Sequence, residues 1–472
     1  MACPNVSGKK ETPMENIQAI SVLDGRYLKY TEALTDIFSE YGLIRHRVYV
    51  EIQWLRFLLK DLQLDHADSE ELKTISTIAG DFDVAAANAI KETEKITNHD
   101  VKAVEYYIKD RLEALGLARL KEWVHFACTS DDINNAAYAL MVKAGRQFLL
   151  DELADVLKKL ETLGREYKKT PMISRTHGQP ATPTTVGKEM INFAWRLRIE
   201  EANLRISYIQ AKMNGASGNF CAHQFAFPDI DWIAASQNFI AGYLGVTPIL
   251  LTTQINPNSY LSEILHILVR TAAIVIDLNR DMWGYISLGY FKQKSVDSEI
   301  GSSTMPHKVN PIDFENSEGN MGVAISIMEH MAVKLLNSRF QRDLTDSTVL
   351  RNLGAVFGYL LIGFKSTVKG LSKVTVDQEV IASDIGANPE ILAEAIQTVM
   401  RVYKEDKPYE KLKTLTRGRS MDRLDVEKLI ASMENVPGDV KNRLSQLRVD
   451  QYVGLAEQLV DWYFSKIAEG RH

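Results

Sequence analysis

The sequence predicts an all-α protein of three domains, organised around a central bundle of long helices. Three observations lead there. Apolar residues recur at three- and four-residue spacing, as at Ile44, Val48, Ile52, Leu55 and Leu59, which puts them on one helix face. No stretch shows sustained strand alternation, and no internal repeat is visible. Between residues 131 and 370, four or five helical stretches run to roughly 20–30 residues, rods of about 30–45 Å at the helical rise. Single helices of that length usually lie in bundles or at subunit interfaces.

In chain order, residues 1–18 form a polar extension. Residues 19–120 form an N-terminal helical domain, which opens with the stripe from Ile44 and continues with helices in 69–115. Residues 121–371 hold the central bundle, with helices at about 131–167, 183–213, 230–243, 259–285, 312–336 and 348–370. Ser130-Asp131-Asp132 reads as a helix start. Thr182-Pro183 reads as an N-cap followed by proline at the first helical position, and Asn310-Pro311 repeats that pattern. Asn214-Gly215 reads as a helix stop. The helix from Ser259 is apolar almost all round, so it should be buried between neighbours, and a homo-oligomer sharing these long helices is expected. From residue 372 the helices shorten and charge density rises, as in YKEDKPYEKLKTLTRGR, marking a small C-terminal helical domain over 372–472.

Composition excludes several function classes. Of 472 residues, 45% are apolar and 25% charged, as in ordinary globular proteins. A formal net charge of −6 offers no footprint for nucleic acid or an acidic membrane. Three cysteines, Cys3, Cys128 and Cys221, none at paired spacing, argue for a reducing compartment. The N-terminus lacks the apolar core of a signal peptide, and the most apolar long run, Ile264 to Met282, carries charges. A cytoplasmic location is expected.

No phosphate-binding glycine loop, dinucleotide fingerprint or paired-cysteine metal site is present. His125 and Cys128 are close, but without further ligands they read as residues beside a turn. No cofactor or metal is expected, and chemistry must come from side chains. Four polar stretches carry it, in expected loops, where binding residues concentrate. The first is Thr97-Asn98-His99-Asp100. The second is SRTHGQPATP at 174–183, whose His177 suits general acid or base work near neutral pH. The third is GSSTMPHKVNP at 301–311. There Lys308 and the following helix N-terminus add positive potential, which suits an anion and makes Ser302 or Ser303 a better base than free serine. The fourth is QRDLTDSTVLR at 341–351, with two arginines and several hydroxyls at a helix start, a credible site for phosphate or carboxylate.

The third stretch resembles the signature loop of the fumarase/aspartase superfamily, whose members are helical homotetramers that eliminate fumarate from succinyl adducts. The flanking stretches SVLDGRY (21–27), TNHDVKAVEYY (97–107), HFACTSDDINN (125–135), SRTHGQPATP, QRDLTDSTVLRN (341–352) and KPYEKLKTLTRG (407–418) resemble its adenylosuccinate lyases of the bacterial type, over about residues 19–465. That resemblance implies a lyase of purine biosynthesis acting on two small molecules. It would split adenylosuccinate into AMP and fumarate, and SAICAR into AICAR and fumarate, with active sites shared between subunits. It implies Ser302 as base, Lys308 and Asn310 as stabilisers of the carbanion, and His177 as acid steadied by Glu315. His99 is implied at the substrate's phosphate or carboxylate region. His307 is not implicated. Binding residues implied are Arg26, Tyr27, Asn98, Asp100, Thr129, Ser130, Gln254, Val309, Asn316, Arg342, Ser347, Thr348, Val349, Leu350 and Arg351. The nearest alternative is another fumarate-releasing lyase, such as argininosuccinate lyase.

Overall fold

The computed structural model describes residues 16–294, 305, 308–416 and 423–470. The chain forms two compact units. The first comprises Met1–Glu152, Asn203–Ala273 and Gly319–Gly363, and the second Leu153–Ala202, Ile274–Glu318 and Phe364–His472.

The first unit is built on the helix Glu40–Lys60. Ser39 caps it by accepting from the Gly42 amide. Ile44, Val48, Ile52, Leu55 and Leu59 are all buried, and they meet Ile75, Ile78, Ile90, Val104, Ile108 and Leu112 in one core. The stretch 69–115 resolves into three helices, Ser69–Gly80, Val84–Thr97 and Asp100–Ala114. Asp68 and Glu71 form a reciprocal capping box at the first. The unit also takes residues 130–152 of the longest helix, Ser130–Glu166.

Asn214-Gly215 does not end a helix. The helix Val186–Ile206 stops eight residues earlier. Gln210–Ala211 then pairs in parallel with Thr247–Pro248. The Asn214 amide donates to the Leu250 carbonyl at 3.1 Å and to Thr252 Oγ1 at 2.9 Å. The asparagine thus ties two extended segments together, a long-range role that a local stop signal does not reveal.

In the second unit, Pro171–Thr176 and Gln179–Thr185 pair as an antiparallel hairpin, with a register shift between Ile173 and Ser174. Thr182-Pro183 is therefore strand, and the helix starts at Val186, where Thr185 Oγ1 accepts from the Lys188 amide at 3.2 Å. Local capping chemistry was present at both threonines; strand pairing decides between them. The hairpin base is tied to the turn that follows the preceding helix, since the amides of Val186 and Gly187 donate to the carbonyls of Thr170 (2.9 Å) and Tyr167 (3.0 Å). Toward the C-terminus, Ile396, Met400, Leu412, Leu429, Ile430, Met433 and Leu444 make a separate small core.

Among the described residues, one segment, Thr345–Lys373, is apolar and long enough to cross a membrane by composition, with 56% of its most apolar window buried inside the chain. Its buried side chains include Leu353, Val356, Phe357, Leu360 and Leu361. It is a different segment from the one that sequence hydropathy singles out.

Gly187 sits where two backbones nearly touch. A Cβ there would lie 2.5 Å from the Gly164 carbonyl oxygen and 2.6 Å from Lys168 Cα. Backbone atoms cannot swing aside, so Gly187→Val should lower stability by about 1–3 kcal/mol. Urea unfolding followed by circular dichroism should show the lower midpoint.

Candidate active site

Asn98 and His99 make a two-residue break between helices. Asn98 ends one helix in the left-handed conformation (φ 50°), which asparagine tolerates. His99 caps the next: its Nδ1 accepts from the Lys102 amide at 3.1 Å. In the neutral ring this leaves the proton on Nε2, so the half-exposed outer edge of His99 offers a donor. That polarity suits an anionic ligand group.

Asp100, next in sequence, receives two guanidiniums on the same oxygen. Arg47 Nη2 lies 2.7 Å from Oδ2, and Arg351 Nη2 lies 3.3 Å from it. Arg351 also meets Glu40 at 2.7 Å. Burial pushes the Asp100 carboxyl up, but the charge of Arg47, the Val101 amide and Arg351 outweigh it and hold the group below its ordinary range. Arg351 and Asp100, both named from sequence, thus stand together 251 residues apart in the chain.

A second group in the same unit centres on the start of the longest helix. Gln254 Oε1 accepts from Arg342 Nη1 at 3.1 Å, and Gln254 Nε2 donates to the Ala216 carbonyl at 2.8 Å. Thr129 and Ser130 are half-buried, and the Thr129 amide donates to Asp132 Oδ2 at 2.8 Å. Asp132 also accepts from the buried Lys212 Nζ (2.8 Å) and the Asn214 amide (3.0 Å). Beside it, Asp131 is buried, and its Oδ2 has no hydrogen-bond partner. Burial pushes the Asp131 carboxyl up to about 7, against the pull of Lys212 and Arg342 and with the push of Asp346 and Asp132. The helix Thr345–Leu350 carries Ser347, Thr348, Val349 and buried Leu350. Arg26 is exposed and Tyr27 half-buried at the start of the short helix Leu28–Thr31.

In the second unit, His177 and Gly178 form the two-residue tip of the hairpin, both with positive φ (53° and 75°). That is the backbone of a type I′ turn, whose twist matches the paired strands. The hairpin is anchored below the tip: Arg175 meets Asp384 at 2.6 Å, and Thr182 Oγ1 lies 2.5 Å from Glu394. The His177 ring is exposed, and no hydrogen bond joins it to Glu315. Glu315 instead accepts from Trp283 Nε1 at 3.1 Å. Lys308 is exposed, Val309 accepts from Gln293 Nε2 at 3.0 Å, and the Asn316 side chain accepts from Ser366 at 2.8 Å. Asn310 is half-buried two residues before the helix Ile312–Lys334. Ser302, Ser303 and His307 lie outside the described residues.

Sequence reading missed Arg47, Asp132 and Lys212. Arg47 carried one visible signal: it is a charged residue flanked by the buried stripe at Ile44 and Val48.

Residues 25–327 match the family model described as Lyase, and residues 338–453 match Adenylosuccinate lyase C-terminal. In structure the chain is similar to a 3-carboxy-cis,cis-muconate lactonizing enzyme from Pseudomonas putida (TM-score 0.73, 17% identity, 93% of this chain and 97% of that one). It is equally similar to a fumarate lyase from Mesorhizobium (TM-score 0.74, 16% identity, with the same coverage). The fold is therefore the all-α fumarase/aspartase fold of a lyase. Adenylosuccinate lyase of Vibrio cholerae is 48% identical over 450 residues, covering 94% of this chain and 98% of that protein. That of Escherichia coli is 46% identical over 455 residues, covering 95% and 99%. The chain belongs to the adenylosuccinate lyase family.

The raised Asp131 carboxyl has a consequence for stability. Its folded value of about 7 lies above the ordinary carboxylate value, so the folded state binds more protons than the unfolded one between about pH 4 and 7. Asp131 therefore makes stability fall as pH rises through that window. Asp131→Asn should remove this fall, so its stability relative to the parent improves from pH 4 to pH 7. Urea midpoints measured at several pH values would show the two curves separating.

Proposed function

We propose that this chain cleaves adenylosuccinate to AMP and fumarate, and SAICAR to AICAR and fumarate, by β-elimination. The observation that carries the reading is identity of 45–48% along nearly the whole chain to several adenylosuccinate lyases, including the C-terminal region specific to them. Arg342 and Arg351 suit substrates bearing a phosphate and two carboxylates, because guanidinium forks match both groups.

In this reading Ser302 removes the Cβ proton of the succinyl group. Negative charge spreads onto the adjacent carboxylate, where Lys308 and Asn310 stabilise it; preorganised electrostatics of this kind is usually the largest catalytic contribution. His177 protonates the departing nitrogen as the C–N bond breaks, and Glu315 holds the imidazole. His99 donates from Nε2 to an anionic group of the substrate. Val309, Asn316, Arg26, Tyr27, Thr129, Ser130, Gln254, Arg342, the 347–350 segment and Arg351 bind the rest.

The protein works as a homotetramer in the cytoplasm, with each active site built from several subunits. Two features support the shared site. The His177 ring stands exposed at a hairpin tip, and Glu315 is hydrogen-bonded to Trp283 rather than to it. Large apolar side chains, among them Val323 and Val333 on a long helix, are exposed on the single chain, and burying them against another copy would remove apolar surface from water.

Incubation with adenylosuccinate should release fumarate with a change in ultraviolet absorbance; a folded protein that leaves the substrate intact would reject the reading. His177→Asn, which keeps the left-handed turn, and Ser302→Ala should each lose at least about 10²-fold in turnover, the usual worth of a positioned acid or base. Mixing those two inactive variants should restore part of the activity, because hybrid tetramers regenerate some intact sites. No recovery after verified subunit exchange would rule out sharing.

A further inference from the structure

The most unusual charged side chain outside the residues already assigned is Arg47. It is 1% exposed, among the largest fully buried side chains in the molecule. Burying a guanidinium is costly unless its hydrogen bonds are met. Two of them are. Nε donates to Asn134 Oδ1 at 2.8 Å, on the longest helix, and Nη2 donates to Asp100 Oδ2 at 2.7 Å. The remaining Nη1 is buried without a partner. A core built for stability alone would place an apolar residue here, since the neighbouring positions Ile44, Val48 and Ile52 are all apolar.

The surroundings supply a reason for the charge. Glu40 lies seven residues before Arg47 on the same helix face, two turns away. Glu40 and Asp100 bracket Arg351, at 2.7 and 3.3 Å. Lys91 reaches the other oxygen of Glu40 at 3.2 Å but is itself paired with Glu94 at 2.7 Å. Without Arg47, two carboxylates would face Arg351 and cancel its attraction for any anion. With Arg47 in place, Asp100 is already satisfied from beneath, at a shorter distance than it keeps to Arg351. Arg351 then holds one fixed geometry and retains charge for a ligand.

We propose that Arg47 is a positioning residue for substrate binding: it neutralises Asp100 from inside the core and thereby sets both the place and the effective charge of Arg351. This rests on the functional reading above, in which Arg351 takes an anionic group of the substrate. Arg47 touches no substrate atom. It acts through Asp100, and through the neighbouring His99 cap whose helix Asp100 begins. The link to Asn134 fixes the guanidinium plane, so charge alone at this position is not sufficient.

The test is kinetic. Arg47→Met keeps the apolar stem and removes the charge; folded variant protein should show a KM for adenylosuccinate raised about tenfold or more, with kcat changed much less, the pattern of lost binding made equally in ground and transition states. Inhibition by the two products, AMP and fumarate, should weaken for one and hold for the other, because Arg351 meets one anionic end of the substrate. A merely structural residue would lower the active fraction, and hence kcat, with KM and both inhibition constants unchanged; that result overturns the proposal. If Arg47→Met does not fold, Arg47→Lys decides: it restores the charge but not the two-pronged geometry, so KM should rise severalfold above the parent's, and a parental KM would overturn the proposal. Absence of turnover by the parent protein would instead reject the functional reading itself. Turnover by the parent with an unaltered KM in the folded variant rejects the role of Arg47 alone.

Discussion

A single carboxylate, Asp132, holds the start of the longest helix in place. It is fully buried, as is its partner Lys212 at 2.8 Å. Its two oxygens also accept from the amides of Thr129, Asn214 and Gly215. Desolvating such a pair is expensive, and it persists only because every lone pair facing the protein is used. Losing one partner of a buried pair typically costs about 3–5 kcal/mol. The return is positional. One side chain locks the turn before the helix to residues lying 80–83 positions downstream, just past the strand Gln210–Ala211, and Thr129, Ser130 and Asp131 inherit their places from it.

The same device recurs at Asp100. There too a carboxylate at a helix start collects several donors, one of them a cation from inside the core. The difference lies in exposure: Asp132 is sealed, whereas Asp100 remains partly open and presents Arg351 outward.

Much of this was legible in the sequence. The helix class, the buried stripe from Ile44 to Leu59 and the approximate spans of the long helices followed from periodicity, which reports burial directly. The polar stretches were found because they interrupt that periodicity. What stayed hidden depends on distant partners. The hairpin at 171–185 has the threonine and proline that also start helices, and only its pairing shows that it is strand. Arg47 and Lys212 look like surface cations until Asp100 and Asp132 arrive from other segments. Arg351 was named from its motif, but its bracketing by Glu40 and Asp100 joins residues more than 250 positions apart. The resemblance of motifs to a known family supplied roles that no spacing rule gives.

The hairpin tip restricts what evolution can write at position 177. Its backbone is left-handed, at φ 53°, a conformation open to glycine, asparagine and aspartate but strained for most other side chains. Histidine is among the few further residues enriched there. In the proposed mechanism the permitted alphabet at this position is therefore set twice, once by proton transfer and once by turn geometry. Asparagine satisfies the second condition and fails the first. It is the replacement that separates chemistry from backbone, and alanine confounds them.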